Sequence, residues 1–187
     1  MGDFMDFFDL HCDTLTECMD DGDSLLKNER DIDFERGSIF GRWNQVFAVF
    51  VPDSMDDSLV EGYFDSACNF YFDELKKKGD VFPILSSEDV RGHSRGVMLA
   101  MESSRGVGSL ERLEKLYERG LRLITLTWNH KNRAAGGCDE GGGLTDWGRE
   151  LVSKMEKLGI VTDVSHLSDR SFYDLCEFSD APFIATT

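Results

Sequence analysis

Six short apolar runs, each separated from the next by other chain, constrain this 187-residue sequence more than any other feature. They are Phe7 to Leu10, 43-WNQVFAVFV-51, 97-VMLAM-101, 121-LRLITLTW-128, 160-IVTDVSH-166 and 183-FIAT-186. The runs are nearly continuous rather than alternating, which is the pattern of strands buried on both faces. Between them lie helix-like stretches. Asp57 to Lys78 places Leu59, Tyr63, Phe64, Ala67, Phe70, Tyr71 and Leu75 on an approximate helical stripe. Ser109 to Arg119 repeats Leu110, Leu113, Leu116 and Tyr117, and Gly120 stops it. Thr145 can cap 146-DWGRELVSKMEKL-158, with Asp146 at the positive end of the helix dipole and Gly159 after it. Ser168 can cap 169-DRSFYDLCEF-178. Strand, helix, strand, helix in this order predicts a mainly parallel α/β sheet in one domain over residues 1–187.

The bulk numbers narrow the class of partner. A hydrophobic content of 41% and a charged content of 30% suit a soluble globular chain with a real core. The net charge of -16 removes the basic footprint that nucleic acid requires. No apolar run approaches the ~20 residues of a membrane span. The opening MGDFMDFFD is acidic where a secretory leader is basic, and Asp3 and Asp6 spoil an acylation motif at Met1-Gly2. The five cysteines are scattered without CxxC spacing, which reads as reduced thiols in the cytoplasm.

The chemistry gathers at strand ends. His11 and Asp13 are two apart behind the first run, so in a strand they face one side and Cys12 the other. Glu102 ends the third run and His166 the fifth. All four stand at carboxyl ends, the active-site face of parallel α/β barrels. Imidazoles with carboxylates suit zinc or another borderline divalent ion. Singly, each has a plainer role: Glu102 as the first solvated loop residue, His166 as a structural residue near a helix start. Asp163 can cap a turn or pair a cation, and alternation sets it opposite His166, outside the ligand set. His93 sits at the amino end of a strand and reads as surface loop. The segment 129-NHKNRAAGGCDEGGG-143 predicts a long functional loop, with His130 as a candidate substrate contact. Its glycines precede a helix, but without a Lys-Ser/Thr sequel they make a weak phosphate signal. No GxSxG, P-loop, HExxH or GxGxxG motif competes.

The segments 9-DLHCDT-14, Met101-Glu102, 120-GLRLITLTWNHKN-132, 143-GLTDWGRELVSKMEKLG-159, 160-IVTDVSHLSD-169 and 181-APFIATT-187 occur in an order that identifies a family. The chain resembles the amino-terminal part of the membrane (renal-type) dipeptidases, peptidase family M19, in their bacterial cytosolic form. The resemblance implies a TIM (β/α)8 barrel of the metal-dependent hydrolase type. It also implies two zinc ions (Zn2+) and hydrolysis of dipeptides, often with a D-residue at the carboxyl side, by a hydroxide bridging the metals. Carried over by position, His11 and Asp13 would bind the first metal, Glu102 would bridge both as the catalytic carboxylate, and His166 would bind the second. Trp128 stands where some relatives carry a substrate-binding His, with Asn129 and His130 as neighbouring candidates.

Two departures accompany the resemblance. The family's second metal takes another His, in a segment like PFIATHSN, where this chain reads PFIATT. Thr187 holds that position, and its hydroxyl is a poor zinc ligand beside an imidazole. The six strands also fall short of the eight that close such a barrel. The expectation is a C-terminally truncated, incomplete barrel, without the family's substrate-carboxylate arginine and acidic proton shuttle. Its open edges would favour association, a homodimer included. A non-catalytic remnant holding at most one metal is the alternative. Another amidohydrolase-type hydrolase fits less well, because those usually open with His-x-His.

Overall fold

The computed structural model describes residues 5–187, so the Met1-Gly2 pair lies outside the described residues. In chain order the elements are β1 (Asp6–Asp9), α1 (Thr14–Asp21), α2 (Phe34–Gly37), β2 (Arg42–Phe50), α3 (Asp57–Lys78), β3 (Phe82–Pro83), α4 (Asp89–Gly92) and β4 (Arg95–Glu102). A 3-10 turn (Ser104–Val107) follows, then α5 (Leu110–Glu118), β5 (Leu121–Thr125), α6 (Asp146–Leu158), β6 (Val161–Asp163), α7 (Asp169–Phe178) and β7 (Phe183–Ile184). The strands pair in the order β1-β2-β4-β5-β6-β7, and every pairing is parallel. The two-residue β3 pairs with β4 off this path.

Neighbours in sequence are thus neighbours in space, which is barrel winding rather than the reversed order of an open doubly wound sheet. The sheet curls: His11, just after β1, meets Thr186, just after β7, at 3.2 Å between ring Nδ1 and hydroxyl Oγ1. The result is a curled half-barrel with six of a barrel's eight strands, as the apolar runs predict.

The two faces of the sheet differ. β2 is buried from Trp43 to Val49, and its register against β4 pairs Phe47 with Leu99 and Ala48 with Ala100. One alternate set, with Trp43, Phe47, Val49, Val97, Leu99 and Met101, joins the helices' Leu15, Phe64, Leu113, Leu151 and Leu175 in the main core. Each such fully buried side chain contributes about 1.5–3 kcal/mol relative to exposure. The other set faces the barrel interior: Val46, Ala48, Ala100 and Leu123, with Met98, Val161 and Ile184 half-buried against them. At the outer layer the fit is close. A Cβ on Gly37 would lie 2.4 Å from the Trp43 ring, so only glycine lets α2 rest there.

Two helices begin at the caps the sequence predicts, Thr145 and Ser168, and Ser109 caps α5 in the same way. Ser109, Thr145 and Ser168 accept from the backbone N–H groups of Arg112, Gly148 and Ser171 at 3.1, 2.9 and 3.1 Å. Several strands stop before their apolar runs do. β1 ends at Asp9, β5 at Thr125 and β6 at Asp163, so the chain leaves the sheet before His11, Trp128 and His166.

Candidate metal centre

The four strand-end residues converge, although only Glu102 lies within a strand. Asp13 holds the N-cap position of α1 but makes no capping bond with its side chain. An Asp at an N-cap ordinarily accepts from the first turn; here its Oδ1 lies 3.5 Å from His11 Nε2. Glu102 ends β4 with only 3% of its surface exposed. Its Oε2 is 3.4 Å from His11 Nε2 and its Oε1 is 3.1 Å from His166 Nε2. One carboxylate therefore stands between two imidazoles. Cys12 packs against the main core beside them.

Backbone strain marks the same place. Among the described residues, the non-glycine positions with positive φ are Ser103 (78°), directly after Glu102, and His166 (63°). Left-handed backbone disfavours side chains, and it collects where structure holds groups for chemistry.

The electrostatics tie Glu102 to its two imidazoles. Burial pushes the Glu102 carboxyl up, but its hydrogen bonds and charge interactions with His11 and His166 outweigh that and hold it at about 2. Burial likewise lowers His11, yet the nearby carboxylates of Asp13 and Glu102 lift it to about 10. No Arg or Lys pairs with Glu102 among the described residues. Asp13 Oδ1 is buried without a hydrogen-bond partner, although the Asp13 side chain as a whole is 46% exposed. Ligand atoms of His11, Asp13 and Glu102 all lie within 4.8 Å of one another. An orphaned carboxylate oxygen beside a buried carboxylate and an imidazole fits a divalent ion.

The loop after β5 supplies the neighbours of His166. Asn129 Oδ1 lies 2.9 Å from His166 Nδ1. The Trp128 ring sits 6.4 Å from the His166 ring and 5.0 Å from Phe50. His130 instead turns to Asp53 of the β2–α3 loop, with Nδ1 at 2.6 Å and its backbone N–H also donating to that carboxylate. That carboxylate raises the pKa of His130. A cavity of about 740 Å³ adjoins this pair, and none of the four strand-end residues lines it. Arg105, on its wall, is committed to Asp57 and to the carbonyls of Pro52 and Met55.

Asp163 is on the inner face, beside Thr125 in register. Its Oδ1 accepts from the N–H and hydroxyl of Ser165 at 3.0 and 2.7 Å, and its Oδ2 from the hydroxyls of Thr125 and Thr186 at 2.7 and 2.6 Å. It caps the turn leading to His166. Thr186, which reaches both Asp163 and His11, carries no motif signal of its own.

A parallel sheet wound in barrel order, with an imidazole–carboxylate cluster where its strands end, defines the class: a barrel of the metal-dependent hydrolase type. The sequence matches the membrane dipeptidase family (peptidase family M19) over residues 3–187, and the chain belongs to that family. It superimposes on dipeptidase AC, a metallopeptidase of family M19, with a TM-score of 0.86 at 22% identity, covering 98% of this chain and 63% of that one. A metallopeptidase from Rhodobacter sphaeroides, liganded with a phosphinate mimic of the dipeptide L-Ala-D-Ala, gives 0.84 at 20% identity, covering 98% and 65%. An uncharacterized dipeptidase of Schizosaccharomyces pombe is 38% identical over 82 residues, 41% of this chain and 20% of that protein. The chain thus spans less than two thirds of the length of these two solved structures.

Proposed function

We propose that this chain carries the metal-holding part of a dipeptidase, with His11, Asp13 and Glu102 as the ligands of one divalent ion and Glu102 and His166 as ligands of a second. The observation that supports it is the buried Glu102 carboxylate, presenting one oxygen to each imidazole with no Arg or Lys paired to it among the described residues. An ion held there, zinc by the chemistry of the donors, supplies Lewis acidity toward a carbonyl and lowers the pKa of water. The protein's own residues do the rest. Glu102 keeps both sub-sites at a fixed separation, Asp13 leaves an oxygen free of hydrogen bonds, and Trp128 forms an aromatic wall beside His166. The substrate class we assign is the dipeptide, by family and by the dipeptide mimic held in the Rhodobacter sphaeroides relative.

A second reading has its own support. The first sub-site assembles three donors, whereas the second has Glu102 and His166 among the described residues, with Thr187 engaged through its backbone N–H to Ser165. This favours one tightly held ion over two. Metal analysis by mass spectrometry, paired with an Ala-D-Ala hydrolysis assay on the 187-residue chain, separates the two. Two ions with turnover support the dipeptidase; one ion or none without turnover supports the remnant, which any turnover sinks. No helix among the described residues is long and apolar enough to cross a membrane. We assign the cytoplasm on the five cysteines, all unpaired.

A further inference from the structure

We propose that Thr186 and Asn129 are positioning residues that decide which nitrogen of each site histidine faces the metal, an inference that rests on the metal-site reading above. Each histidine has Nε2 directed at Glu102 and Nδ1 held by a side chain outside the ligand set. For His11 that side chain is Thr186, at 3.2 Å. For His166 it is Asn129, at 2.9 Å.

The direction of the first contact follows from counting protons. Asp163 receives the N–H and hydroxyl of Ser165, the N–H of Thr186 at 3.3 Å, and the hydroxyls of Thr125 and Thr186. A carboxylate surrounded by five donors is an acceptor throughout. The single proton of the Thr186 hydroxyl is therefore spent on Asp163, and toward His11 that oxygen can only accept. His11 must donate from Nδ1, which leaves Nε2 as the nitrogen presented to Asp13 and Glu102. Asp163, Thr186 and His11 form one chain of hydrogen bonds running from β6 across the strand ends to the start of the site.

His166 is held in a similar way by the loop after β5. Asn129 Oδ1 accepts from its ring, while Thr127 Oγ1 and the Cys138 N–H donate to its backbone oxygen at 3.2 and 2.9 Å. These bonds pin a residue whose φ of 63° is otherwise disfavoured. Outer partners of this kind fix the tautomer and ring angle of a metal-binding histidine, and losing one typically weakens metal binding 10–100-fold.

Long-range proton–nitrogen spectra of the zinc-loaded 187-residue chain read each ring directly. The expected result is a protonated Nδ1 and a zinc-bound Nε2 in both histidines. Thr186→Val removes the acceptor and keeps the shape. It should raise the zinc Kd about 10–100-fold in chelator competition and disturb the His11 Nδ1–H signal alone, and Thr186→Ser should restore both. Asn129→Leu should do the same at His166, and Asn129→Asp, which keeps an acceptor, should not. Melting curves of the metal-free variants separate these effects from loss of fold. Should Thr186→Val not fold, the wild-type ring assignment and the Thr186→Ser variant decide the matter. Zinc bound through Nδ1 of His11, or a Thr186→Val chain with unchanged Kd and ring signals, overturns this inference alone. Failure of the wild-type chain to bind zinc overturns it together with the metal site.

Discussion

The outer and inner faces of the curled sheet are made from the same strands and do different work. On β4, Val97, Leu99 and Met101 point outward into a core closed by helices. Met98 and Ala100 point inward, Ala100 as one of four fully buried residues and Met98 packed against them, and Glu102 continues that inner row into the site. The outer face supplies most of the buried apolar area, so it decides whether the chain folds. The inner face supplies little, and its upper end is free to hold charge. A buried carboxylate is affordable there because the stability of the strand is secured on the other side.

Substitutions can break this contrast. Met101 and Met98 are the same residue on opposite faces of one strand, fully buried and half-buried respectively. Met101→Ala should cost about 2–5 kcal/mol in denaturant titrations, and Met98→Ala about half that or less. Equal costs would show that the interior is packed as tightly as the helical layer. Next in size is Glu102→Gln, which removes the carboxylate proposed as the shared ligand. By calorimetry it should weaken zinc binding about 100-fold or more while the fold persists; a folded variant that still binds tightly would dissociate the inner face from the metal. Thr145→Ala tests the outer layer at its rim, where loss of the cap on α6 should cost about 1 kcal/mol.

The smallest effect concerns protons. The folded value of His11, about 10, lies above its ordinary 6.5. Its protonation therefore stabilises the metal-free chain fully below about pH 6.5, and this contribution fades as pH rises through about 10. A metal must displace that proton. Zinc titrations at pH 7.5, in buffers of different ionisation enthalpy, should show about one proton released per ion at this sub-site. Zero release would mean that His11 is neutral before the metal arrives.

The parts of this structure that were legible in the sequence are those governed by the outer face. Six apolar runs and the caps Thr145 and Ser168 announce the strands and two of the main helices, because burial on both faces and capping leave local marks. The helix α1 escaped notice: it spans only eight residues and begins directly on Asp13, within the segment read as chemistry. β3 is two residues long and one of them is proline. The four ligand candidates were visible as strand-end residues, but the geometry assumed for them was not the real one. Alternation excluded Asp163 because it treated His166 as part of the same strand. β6 stops at Asp163, and a left-handed backbone turns His166 toward Glu102. Asp163 then serves the site indirectly, through Thr186. That role depends on two strands meeting in space, and no local spacing encodes it.

The contact between His11 and Thr186 also sets a schedule. The two residues are separated by 175 positions in the chain, so at about 5–20 residues per second a ribosome makes them roughly 10–35 seconds apart. During that interval the outer layer can form strand by strand, each helix docking as it is made, while the His11 ring has no Thr186 oxygen to hold it. This contact therefore waits for β7, although the His11 ring is made long before it. A metal ion held there would report on whether the sheet has finished curling.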